Sequence, residues 1–117
     1  MLRLFILVVP LLCVFGISSA ETPLPTDVSS FLELRESCDH WRGEYGYDKD
    51  RQSDIDWSIC QSCPGTDAKL AKLKRKYKNQ ESVMIKLNDL ESKIESKDKA
   101  ATLKFCKTTR KPEWYEK

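Results

Sequence analysis

The chain has 117 residues, 20 Lys and Arg against 18 Asp and Glu, a net charge of +2 and 40% hydrophobic residues. That length allows one small domain and excludes a multidomain enzyme. A net charge this near zero excludes the uniform basic field of a nucleic-acid binder.

Met1 to Ala20 reads as a secretory signal: Arg3 gives the positive start, Leu4 to Phe15 the apolar core, and Ser18-Ser19-Ala20 a small-residue cleavage site. Cys13 lies inside that core and is discarded with it. The apolar run is short for a spanning helix, so no membrane span is expected after cleavage. Cleavage after Ala20 leaves 97 residues, exported to a periplasmic or extracellular space. Residues 21–68 carry a net charge of −7 and residues 69–117 a net charge of +8. The simplest expectation is that the two halves pack together and partly neutralise each other.

Residues 21–29, with Pro23 and Pro25, are expected to form an extended leader. A helix follows, with Ser30 and Glu33 at capping-box spacing and Phe31, Leu34, Cys38 and Trp41 on one face. Arg42 to Asp50 is a loop by composition. A second helix over 50–63 places Ile55, Ile59, Cys60 and Cys63 on a stripe, with Trp57 off it, and Pro64-Gly65 ends it. Thr66 or Asp67 can cap a third helix whose buried face is Leu70, Leu73 and Tyr77. Residues 78–80 read as a break. Val83, Leu87, Leu90, Ile94 and Ala101 then keep heptad spacing. Residues 100–107 continue that helix or form another, with Leu103, Phe105 and Cys106 bringing its end to the core. Residues 108–117 form a tail. The expected fold is all-α, a small domain of about four helices over 30–107 stapled by two disulfides. Its core of roughly fifteen large apolar side chains is thin enough to need them.

Cys38, Cys60, Cys63 and Cys106 are the four cysteines of the mature chain, an even number in an exported protein. Cys60-Gln61-Ser62-Cys63 has the spacing of a thiol oxidoreductase, but the pair falls at a helix C-terminus, where the dipole disfavours thiolate. A bridge within that pair closes a short loop worth about 2 kcal/mol, against about 3.4 to Cys38 and about 4 to Cys106. Cys38 and Cys106 are therefore expected each to bridge to one cysteine of the hinge Cys60-Gln61-Ser62-Cys63-Pro64-Gly65. Which takes which stays open, with Pro64 favouring Cys63 as the neighbour of the returning helix. A zinc site made of four cysteines would need two close pairs, and this chain has one. No metal and no cofactor are expected.

His40 lies between Asp39 and Glu44 with no nucleophile placed beside it, so a surface or helix-end role is expected. Asp48, Asp50, Asp54 and Asp56 lack the alternation of a calcium loop. The run from Lys69 to Lys78 could face an anionic envelope polymer through Lys69, Lys72 and Lys76, or be a solvated helix face. Trp114 and Tyr115 are candidate interface anchors, or a cover for the core.

Cys38-Asp39-His40-Trp41-Arg42-Gly43-Glu44, and Cys63-Pro64-Gly65-Thr66-Asp67 followed by Leu70, Leu73 and Tyr77, resemble small exported bacterial proteins of unassigned role. Ile59-Cys60 with the spaced leucines and tyrosine is similar to periplasmic lysozyme-inhibitor-type domains, although the cysteine spacing differs. The resemblance implies no site residues here. The expected function is non-catalytic binding to another exported or cell-envelope protein, as an inhibitor or immunity-type partner. The alternatives are a thiol-disulfide oxidoreductase using Cys60 and Cys63, and an anion-binding surface protein using the lysine-rich helix.

Overall fold

The computed structural model describes residues 22–116 together with Cys13 and Gly16. The expected signal segment, apart from Cys13 and Gly16, and its expected cleavage site after Ala20 lie outside the described residues. Cys13 is exposed and joins neither bridge. Five helices and no strand occur among the described residues: α1 Thr26–Arg42, α2 Lys49–Ser62, α3 Thr66–Lys76, α4 Glu81–Asn88 and α5 Lys99–Cys106. None of them is long and apolar enough to cross a membrane.

α1 starts at Thr26, so the extended leader stops at Pro25 and the Ser30–Glu33 capping box is not used. Proline's fixed φ suits a helix start, and its missing amide costs nothing where no helical partner exists. The Pro25 carbonyl accepts from the amides of Val28 and Ser29, both at 3.0 Å. The buried face also differs from the expected one. Val28, Phe31, Arg35 and Cys38 are buried at intervals of three, four and three, while Leu34 and Trp41 are half-buried at its edge.

The main core is Val28 and Phe31 of α1, Leu70, Leu73 and Tyr77 of α3 and its C-cap, and Val83 and Leu87 of α4. Leu24, Leu32, Met84 and Leu90 pack around it. Each such side chain contributes about 1.5–3 kcal/mol when fully buried. Asp27 at the start of α1 meets Lys76 and Tyr77 at the end of α3, so these helices run antiparallel.

α2 is covered on two sides, as the off-stripe position of Trp57 implies. Ile55 is buried at 1% exposure, and Trp57 packs edge-on against Tyr115 with ring centroids 4.6 Å apart. The bridges are Cys38–Cys63 and Cys60–Cys106, with Cα–Cα distances of 4.9 and 5.5 Å. Both hinge cysteines are engaged as expected, but the leaning from Pro64 is reversed. Cys60, one turn earlier, faces α5, and Cys63 at the C-cap faces α1.

The heptad reading ends at Leu87. Residues 89–98 are irregular, and Ala101 is exposed on a separate α5. The reason is a reciprocal cap. Glu95 accepts from the amides of Gly65 and Asp67 at 2.7 and 2.9 Å, while Asp67 accepts from those of Ile94 and Glu95 at 3.0 and 3.1 Å. The start of α3 is therefore satisfied by a side chain 28–30 residues away, not by Thr66 or Asp67. Nor do Leu103 and Phe105 reach the core. They are 62% and 48% exposed, and α5 is attached through Cys106.

Candidate functional site

The structure separates the sequence-predicted binding residues into two faces. Lys69, Lys72 and Lys76 line a groove between α1 and α3, while Trp114 and Tyr115 belong to an aromatic face beside α2.

The aromatic face is built by the ends of α1 and α2 and the returning tail. Trp114 stacks on Trp41 at 6.0 Å between centroids, with the planes 19° apart, and its Nε1 donates to Asp54 Oδ2 at 2.9 Å. It is nevertheless 52% exposed. Arg51 places its guanidinium 5.2 Å from the Trp41 ring centroid, a cation on the π face. Asp48 caps α2 by accepting from the Arg51 amide at 2.8 Å, and Asp50 follows in its first turn. Trp41, Tyr47, Asp48, Asp50, Arg51, Asp54 and Trp114 surround a cleft of about 400 Å³.

The loop before α2 sets the rim of that cleft. Tyr45 and Tyr47 are 89% and 85% exposed. Between them, Gly46 lies against Gln52: a Cβ there would come within 2.8 Å of the Gln52 Cα. Only a residue without a Cβ brings the loop this close, which fixes where the two tyrosines project.

The groove lies on the opposite half of α1. Phe31, Leu34 and Leu73 form an apolar floor, Lys69 and Lys72 stand on the rim, and the volume is about 380 Å³. Asp27 closes one end, accepting from Lys76 Nζ and from the Tyr77 hydroxyl, both at 2.6 Å. Those two donors hold the Asp27 carboxyl below its usual range, and the same contact with Asp27 raises Lys76 and Tyr77. Lys76 is thus already paired. Lys69 and Lys72 make no ion pair among the described residues.

His40 is exposed in the last turn of α1, its Nε2 3.6 Å from Glu44 Oε1, and it lines neither the cleft nor the groove. Both bridges border a hollow of about 200 Å³ with Ile59, Pro64, Ile94 and Phe105. Among the described residues no three His, Cys, Asp or Glu side chains gather as a metal cluster. Sequence reasoning missed Tyr45, Tyr47 and Asp50 as site residues, and it placed Trp41 only on a core face. The signal was the density of aromatic residues over 41–47 immediately before four aspartates.

Comparison with protein-family models, curated proteins and solved structures finds no match for this chain.

Proposed function

We propose that the chain is an exported, non-catalytic binding protein that engages another exported or cell-envelope protein through the Trp41–Trp114 face, as an inhibitor or immunity-type partner. The observation that carries this reading is Trp114, a half-exposed indole held in place from two sides by a stack and a hydrogen bond. A large side chain fixed before binding loses little conformational entropy on binding, which is the property of interface anchors. Tyr45 and Tyr47 extend the apolar contact, and Asp50 and Asp54 favour a partner with a basic surface. Arg51 over Trp41 is an internal example of the cation contact that such a partner would make. The thiol-exchange alternative finds less support, because Cys60 and Cys63 are bonded to different partners and form no dithiol couple with each other.

The test is quantitative capture from the source's own envelope extract, with the mature chain and its Trp114→Ala/Tyr47→Ala variant as baits. The expected result is a protein retained by the wild type, retained at least tenfold less by the variant and released by salt. Equal retention of the same proteins by both baits would overturn the reading.

A further inference from the structure

We propose that the groove between α1 and α3 is a second, separate binding site, for a single-chain anionic amphiphile: a short hydrocarbon chain ending in a carboxylate or phosphate. Its apolar floor and its cationic rim each exclude a simpler ligand. Phe31, Leu34 and Leu73 offer nothing to a purely polar anion such as a glycan acid, whereas a hydrocarbon chain lying on them displaces water from apolar surface. Lys69 and Lys72 lie about one turn apart on the α3 side of that floor, and neither is neutralised by a carboxylate among the described residues. Lys76, the next cation along, is held by Asp27 at 2.6 Å, so the groove is closed at that end and cationic at the other. A ligand would therefore lie with its tail toward Asp27 and its head at Lys69 and Lys72.

Dimensions limit the chain. Residues 69–76 of α3 and 27–34 of α1 each advance about 10 Å along their helices, which suits a chain of about eight carbons rather than a long lipid tail. The volume of about 380 Å³ falls at the small end of small-molecule sites. The floor is recessed between two helices and presents no projecting apolar side chain, which suits a free amphiphile better than a bilayer surface.

Calorimetric titration of the mature protein tests this with octanoate and octyl phosphate, set against octanol, butyrate and anionic phospholipid vesicles. The expected result is one octanoate or octyl phosphate per chain, the tighter of the two naming the head group, with octanol and butyrate at least tenfold weaker. Lys69→Gln/Lys72→Gln is expected to weaken octanoate at least tenfold and Leu34→Gln to weaken it several-fold. Lys86→Gln, on α4 away from the groove, should leave it unchanged. Octanol binding as tightly as octanoate, an unchanged affinity in the lysine variant, or binding to vesicles alone would each overturn the proposal.

Discussion

Arg35 carries its guanidinium into the interior at 1% exposure, where Nε donates to Asp39 Oδ1 at 2.9 Å and Nη2 to the Glu91 carbonyl at 3.0 Å. Arg42 joins it, bonding Asp39 at 2.9 Å and Glu91 Oε2 at 2.7 Å, so two arginines of α1 hold the irregular 89–98 segment. Removing one partner of such a network leaves buried charge or an empty volume. Arg35→Ala is expected to cost about 3 kcal/mol in urea unfolding, and Arg35→Met less, because its stem refills the space without the charge. An alanine variant as stable as the wild type would show that Arg35 does not anchor the segment. The carboxylates give a second expectation. Burial opposes ionisation of Glu95, but the amides of Gly65 and Asp67 and the Lys99 ammonium outweigh it and hold the carboxyl below its ordinary value of 4.5. Burial likewise opposes ionisation of Asp39, and Arg35 and Arg42 outweigh it. A group whose folded pKa is lowered binds fewer protons folded than unfolded, so its stabilisation is present above the ordinary value and lost as pH falls through the folded one. Urea stability should therefore be level above about pH 5 and decline below about pH 4, less steeply in Glu95→Gln. A flat profile through that range would contradict the reciprocal cap.

α5 shows what one bridge does for an element that buries no residue of its own. Its Asp98 cap, accepting from the Ala101 amide at 2.9 Å, is local, and Cys60–Cys106 is its covalent tie to α2. Closing a loop of 46 residues is worth about 4 kcal/mol and one of 25 residues about 3.5, in the chain-entropy account. The two losses should nevertheless look different by hydrogen exchange. Cys60→Ser/Cys106→Ser is expected to expose the amides of α5 while α1, α3 and α4 stay protected. Cys38→Ser/Cys63→Ser should lower protection throughout, because that bridge fastens α1 beside the start of α3. Uniform loss in both variants would contradict this division. The helices and the staple were legible in the sequence because they rest on short-range signals: apolar spacing in α2, α3 and α4, the break at 78–80, and two cysteines one turn apart. What was not legible depends on partners distant in sequence. Arg35 reads as a surface residue until the Glu91 carbonyl, 56 residues on, is beside it. Glu95 reads as a polar position within the heptad stretch until it caps α3. Trp114 and Tyr115 were candidates from the start, but their placement needed Trp41, Asp54 and Trp57 to meet them.

Across the molecule the acidic and basic halves do not simply neutralise each other. One ion pair of that sense joins them among the described residues, Asp27 with Lys76, while Asp48 and Asp50 at the start of α2 and most lysines of α3 remain exposed. The aromatic cleft and the lysine groove sit at opposite ends of α1, about 21 Å apart along its axis between Asp27 and Trp41. Charge reversal should therefore act locally. Lys72→Glu is expected to shift stability by no more than about 0.5 kcal/mol, because the side chain is exposed and makes no ion pair among the described residues. Lys76→Glu, which sets a carboxylate against Asp27, should lower the melting temperature further than Lys72→Glu does. Equal effects would mean that the Asp27 contact does not hold in solution. All of this depends on the hinge being a double staple and not a redox centre, so the most direct measurement is disulfide mapping. Partial reduction of the disulfide-intact protein with stepwise alkylation, followed by digestion and mass spectrometry, separates Cys60 from Cys63 although they are three residues apart. The expected result is Cys38 joined to Cys63 and Cys60 joined to Cys106. Cys60 joined to Cys63, with Cys38 joined to Cys106, would contradict it.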